Sequence, residues 1–161
     1  MGFFQKLFGK TNHMLCAPVA GEAIPLSEVN DPTFAMELVG KGVAIRPSEN
    51  KIVAPCDGTV DMVFDTGHAI TLIADCKAEI LIHVGLDTVN LKGEHYKVVA
   101  EAGQAVKKGD LLIEFDREAI AAAGYDTVTP VLVCNPDAYT TFLTHSGKTV
   151  ATGDTVIELA E

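Results

Sequence analysis

The firmest constraint on the fold is a pair of motifs that the chain uses twice. Gly103-x-x-Val106-x-x-Gly109-Asp110-x-x-Ile113-Glu114 returns as Gly147-x-x-Val150-x-x-Gly153-Asp154-x-x-Ile157-Glu158, and Leu15-Cys-Ala-Pro-Val-Ala-Gly21 is echoed by Ile52-Val-Ala-Pro-Cys-Asp-Gly58. Each motif is a turn feeding a short extended run. Further β-branched and aliphatic runs at 42–46, 59–64, 70–74, 79–84 and 155–159 are parted by Gly, Pro, Asp and Asn clusters. This spacing predicts an all-β fold: an antiparallel β-sandwich or barrel of many short strands with one or two short helical turns.

Helix is a minority. Asp116 is placed to cap a segment over 117–123 that stops at Gly124, and Asn135, with Pro136 at the first helical position, opens a second toward His145. The stretch MGFFQKLFGK differs, since Phe3, Phe4, Leu7 and Phe8 share one helical face with Lys6 and Lys10 elsewhere. We therefore expect residues 1–12 to be a flexible or amphipathic tail able to touch a membrane, and residues 13–161 to form a single domain. At 161 residues, 48% of them hydrophobic, the chain can bury about 70% of its unfolded surface in one core. There is neither an apolar run of spanning length nor a signal-peptide pattern, so the expectation is a soluble cytoplasmic protein, at most peripheral at the inner face of the membrane.

Charge narrows the partners. Twelve basic against 22 acidic residues give a formal charge of -10, which argues against nucleic acid, because phosphates are neutralised by a basic surface. An acidic surface suits a basic protein partner. Cys16, Cys56, Cys76 and Cys134 form no CxxC pair and no metal-finger spacing, and read as reduced, buried thiols.

In Glu79-Ile-Leu-Ile-His83-Val84, period-two alternation sends Ile80, Ile82 and Val84 to a core face and Glu79, Leu81 and His83 to a face that meets solvent or a partner. The Gly- and Asp-containing segment that follows offers backbone N–H groups and a carboxylate near the imidazole. Fifteen residues upstream, Asp65-Thr66-Gly67 turns into the strand that begins at His68. A neutral imidazole can take a phosphoryl group on one nitrogen while a hydrogen bond to the other sets its tautomer. A second imidazole, a hydroxyl and turn N–H groups suffice to hold the phosphoryl oxygens. On spacing alone, two histidines near strand ends are more often structural.

Specific segments tip that balance: Val53-Ala-Pro-Cys-Asp-Gly58-Thr-Val60, Thr66-Gly-His68-Ala69, Leu81-Ile-His83-Val-Gly85-Leu-Asp87-Thr88-Val89, Leu91-Lys-Gly93-Glu94, and Gly109-Asp110 with Glu114-Phe115-Asp116. Over nearly its whole length the chain resembles the glucose-type enzyme IIA family of the bacterial sugar phosphotransferase system, as a free-standing IIA protein. The resemblance implies a phosphoryl carrier, a phosphotransferase component with no required cofactor. His83 would take the phosphoryl group on Nε2, His68 would orient and stabilise it, and Thr66 would belong to the hydrogen-bond network. It further implies HPr as donor, a cysteine of a sugar-specific enzyme IIB of the IIB/IIC permease as acceptor, a monomeric carrier, and zinc held by His68 and His83 only with a partner's carboxylate. Phe34, Phe64 and Leu81, with Asp31 and Asp87 as an acidic rim, are expected to form the partner surface.

Other readings fit less well. A zinc hydrolase of lysostaphin type needs a third protein ligand, typically in a His-x-His pair, and His83 is followed by Val84 and Gly85. A biotinyl or lipoyl carrier needs a modifiable lysine in a tight hairpin, commonly after Met, and Ala35-Met36-Glu37 lacks it. A non-catalytic adaptor would not need both histidines. His95 is expected to be a bystander, and His13 and His145 to have surface or turn roles.

Overall fold

In the computed structural model, residues 12–161 are described, and antiparallel strands are their main regular structure. The main sheet has eight strands in the order β13(Lys148–Val150), β2(Gly21–Pro25), β3(Lys41–Pro47), β11(Thr129–Val133), β7(Glu79–His83), β6(Ala69–Ala74), β5(Gly58–Val63) and β9(Ala105–Val106). One three-stranded sheet runs β1(Asn12–Cys16), β14(Thr155–Ala160), β12(Thr141–Thr144); another runs β4(Lys51–Val53), β10(Leu111–Phe115), β8(Tyr96–Val98). The predicted all-β class is the observed one. The main core packs Leu15, Ile52, Ile80, Ile82, Leu112, Ile113 and Ile157, each fully buried.

The duplicated motifs become a reciprocal clasp. Gly109 N–H donates to the Ala54 carbonyl while Ala54 N–H donates to that of Asp110, at 2.9 and 2.8 Å; Gly153, Ala17 and Asp154 repeat the pattern at 3.0 and 2.7 Å. In each Gly-Asp turn the aspartate accepts a backbone N–H three residues back, from Lys107 and from Ala151. The two Ala-Pro turns also bind each other, Cys16 N–H to the Pro55 carbonyl and Val53 N–H to that of Pro18, both at 2.9 Å.

The Asp116-capped helix is present as Arg117–Ala122, with the cap accepting from Ala119 N–H and Gly124 following in left-handed conformation. The helix expected from Asn135 toward His145 is instead a single 3₁₀ turn, Pro136–Ala138, followed by β12. The Asn135 side chain does not cap it; it accepts from Glu79 N–H and donates to the Lys77 carbonyl, and Thr141–Thr144 is taken up in pairing with β14. A four-residue helix over Pro32–Ala35, capped by Asp31 through Thr33 N–H, was not anticipated. The amphipathic face over residues 1–10 lies outside the described residues, whereas Asn12, assigned to the tail, stands in β1 opposite Ala160. Among the described residues, no helix is long and apolar enough to cross a membrane.

Candidate functional site

His83 ends β7 and pairs with Ala69 at the start of β6, while Val84 N–H donates to the His68 carbonyl at 2.6 Å. In this register strict alternation would put the two imidazoles on opposite faces of the sheet. The loop ahead of β6 overrides it. Gly67 N–H closes a turn onto the Phe64 carbonyl, and the Thr66 hydroxyl is hydrogen-bonded to Nδ1 of His68, drawing that ring round the strand end. The two rings meet edge to face, centroids 4.8 Å apart at 79°. Phe34 lies against His83 at 5.0 Å and Phe64 against His68 at 5.4 Å.

The tautomer of His83 follows from its partner. Nδ1 is 2.6 Å from the Gly85 carbonyl, which can only accept, so Nδ1 holds the proton and Nε2 of the neutral ring is a free lone pair. Gly85 must be glycine to present that carbonyl. Its φ is +90°, and a Cβ there would stand 2.5 Å from Thr88 Cγ2 and 3.0 Å from the Asp126 carbonyl. The loop is held further by Thr88 and Tyr96, whose hydroxyls both donate to the Val84 carbonyl, at 2.8 and 2.7 Å. Tyr96 also packs where a Cβ on Gly67 would have to go, 3.1 Å from its own Cβ, so one side chain braces the segments bearing both histidines. Burial holds its phenol up at about 12, keeping it a donor. Nothing in the sequence singled out Tyr96, because an aromatic opening a strand reads as packing.

Both imidazoles are kept neutral. Burial, then the neighbouring His83, lowers His68 to about 4, and His68 is only 3% exposed. His83 is also lowered by burial, against the opposing pulls of the Gly85 carbonyl, Asp31 and Asp87. Two carboxylates thus flank His83.

Leu81 and Phe34 are placed differently from expectation. They are 9% and 5% exposed and belong to a second apolar cluster with Ile24, Leu86, Val128 and Leu132, so the face of β7 beside His83 is covered rather than open. β7 is an interior strand with material on both sides, and alternation assigns a face without saying what lies on it. The exposed apolar side chains nearby are Met36 and Leu38, each 68% exposed, and Val89. Phe64 and Asp31 are half-buried and Asp87 is exposed. His95 is oriented toward Glu94 at 3.9 Å, while His13 and His145 pair with Glu161 and Glu158. Among the described residues, no group of three or more His, Cys, Asp or Glu side chains is arranged to hold a metal ion.

Two neutral imidazoles thus meet where β6 begins and β7 ends in an antiparallel β fold, and comparison with known proteins gives the class of protein to which this fold belongs. The fold superposes on glucose permease IIA from Mycoplasma capricolum with a TM-score of 0.84 at 32% sequence identity, covering 92% of this chain and 96% of that one. Residues 13–139 match the family described as phosphoenolpyruvate-dependent sugar phosphotransferase system, EIIA 1, and the chain belongs to that family. Glucose-specific EIIA components of Haemophilus influenzae and Bacillus anthracis are 39% and 44% identical to it, over 98% and 96% of this chain and 97% and 96% of their own. A beta-glucoside-specific EIIBCA component of Dickeya chrysanthemi is 50% identical over 125 residues, and this chain matches only 20% of that protein's length. The chain is thus a phosphoryl carrier of the sugar phosphotransferase system.

Proposed function

We propose that Nε2 of His83 is the atom that accepts the phosphoryl group, from phosphorylated HPr, and passes it to the cysteine of a sugar-specific enzyme IIB. The observation that carries this reading is the 2.6 Å bond from Nδ1 to the Gly85 carbonyl, which leaves Nε2 as the nucleophile. In the in-line transfer the Nε2 lone pair forms a bond to phosphorus as the donor imidazole's P–N bond breaks, and the reverse happens when the acceptor thiolate attacks. The ring gains positive charge on attack, and the Gly85 carbonyl, Asp31 and Asp87 favour that charge. Taken as the donor in its bond with Nδ1 of His68, the Thr66 hydroxyl puts the proton of His68 on Nε2, where it can donate to a phosphoryl oxygen.

The exposed Met36, Leu38 and Val89, with Asp31 and Asp87 beside them, suit docking of a partner with an apolar centre and basic rim; Phe34, Phe64 and Leu81 support that surface mainly from beneath. Residues 13–161 act as the carrier unit, in the cytoplasm beside the permease. Zinc is compatible as a two-histidine half-site, since both Nδ1 atoms are engaged and both Nε2 atoms are left, but a partner must complete the four ligands such sites use. Incubation with phosphoenolpyruvate, enzyme I and HPr, followed by mass spectrometry, should add one phosphoryl group to wild type and none to His83→Ala. Labelling of a folded His83→Ala protein at another histidine refutes the assignment.

A further inference from the structure

At the end of the β6–β7 hairpin remote from the histidines, the chain reverses over residues 75–77. Ala74 N–H donates to the Ala78 carbonyl at 2.9 Å, and Lys77 takes φ +76°. Cys76 is the middle residue of that turn. Facing it is the segment entering β5: Gly58 pairs with Ala74, and Asp75 N–H donates to the Asp57 carbonyl at 3.0 Å, extending the register one step. One residue further along each chain stand Cys56 and Cys76. Both line one cavity of about 370 Å³, alongside His13 and Lys108. The backbones are anchored on both sides, by Tyr139 hydroxyl to the Cys76 carbonyl at 2.8 Å and by Lys108 N–H to Asp57 Oδ1 at 2.9 Å.

We propose that Cys56 and Cys76 are a reversible oxidation site, a thiol pair that a neutral hydroperoxide converts into an intramolecular disulfide at the closed end of the β6–β7 hairpin. Burial, with Cys76, Asp57 and Asp75 adding to it, pushes the Cys56 thiol up to about 12, so Cys56 is the poorer first nucleophile. Cys76 thiolate attacks the hydroperoxide: an S–O bond forms, the O–O bond breaks, and the alcohol or water leaves with a proton, giving a sulfenic acid. The Cys56 sulfur then displaces the sulfenic oxygen. The S–S bond forms, the S–O bond breaks, and the thiol proton leaves in water. Two thiols and one hydroperoxide thus become a disulfide, an alcohol and a water, with two electrons passed to the peroxide. Lys107, 3.8 Å from Asp57 Oδ2, and Lys108 on the cavity wall offset Asp57 and Asp75, so charge does not exclude an oxidant; the part-buried position of both thiols favours a small hydroperoxide over the bulkier glutathione disulfide.

The full chain, reduced and then treated with hydrogen peroxide, alkylated under denaturing conditions and analysed by mass spectrometry, tests this. The expected product has lost two hydrogens, links the Cys56 peptide to the Cys76 peptide, leaves Cys16 and Cys134 alkylated, and reverts with dithiothreitol. A 20-residue loop closed in this way should raise Tm by roughly 5–10 °C, and Cys56→Ser and Cys76→Ser should each abolish both the link and the shift. Glutathione disulfide should react more slowly than peroxide. A link from either residue to Cys16, dimers through Cys134, over-oxidation without a link, or no reaction would each overturn the proposal.

Discussion

Replacing Gly85 by alanine tests whether the backbone sets the chemistry of His83. A side chain at φ +90° costs roughly 1–2 kcal/mol in strain, and the contacts at 2.5 and 3.0 Å that its Cβ would make add about 1–3 kcal/mol of overpacking. The loop can relieve this by swinging its carbonyl, which gives up the bond to Nδ1. Such a bond contributes about 1–1.5 kcal/mol, so the tautomer ratio should move about 5- to 10-fold toward the form with its proton on Nε2. A ring protonated at Nε2 cannot attack phosphorus through that atom, and acceptance from phosphorylated HPr should slow by up to about that factor. Long-range nitrogen-15 NMR of the imidazoles reads the tautomer, stopped-flow phosphotransfer reads the rate, and a thermal melt should show a loss of about 5–15 °C. A folded Gly85→Ala protein with wild-type tautomer and rate would refute the reasoning. A slow rate with an unchanged tautomer would show that the carbonyl acts through ring position instead.

His68→Gln should still accept from HPr but pass the group slowly to enzyme IIB, because it alters oxygen stabilisation and not the nucleophile; equal onward rates would remove that role. Stability should fall on acidification, because below 6.5 the unfolded imidazole of His68 takes a proton that the folded one refuses until about 4. This group's contribution is up to roughly 3 kcal/mol, and urea titrations across that window should show a smaller loss in His68→Gln than in wild type, the remainder including the share of His83, which burial also lowers. Leu81→Ser should cost about 3–5 kcal/mol of stability, as a buried truncation that also leaves a hydroxyl to desolvate. Leu38→Ser should leave stability almost unchanged and speed dissociation from HPr, and the reverse pattern would mean that the partner reads the buried face.

Much of the architecture was legible because turn residues parse this chain so densely: the predicted strands at 42–46, 70–74 and 155–159 differ from Lys41–Pro47, Ala69–Ala74 and Thr155–Ala160 by at most one residue at either end. The position of His83 at the end of an alternating strand was legible for the same reason, whereas the alternation was silent on what its imidazole does. The ring of His68 was not, since its direction depends on the Thr66 bond and a loop that leaves the pleat. Asn135-Pro136 misled because an asparagine next to proline signals a cap only when its amide has no better offer, and here Glu79 and Lys77 supply one. Exposure at Leu81 was out of reach, since the cover comes from residues as distant in sequence as Ile24 and Leu132.

The pairing of Asn12 with Ala160 brings the first and last described strands together in one sheet. A polypeptide entering and leaving such a unit does so at neighbouring points, so the unit can be grafted onto another chain, or inserted within one, without prising apart its interior. The relative from Dickeya chrysanthemi, in which a region like this one is a fifth of a longer protein, shows such portability in use. A carrier built this way can serve as a diffusing shuttle or as a tethered arm without redesign, and tethering exchanges diffusive search for a high effective concentration at the acceptor.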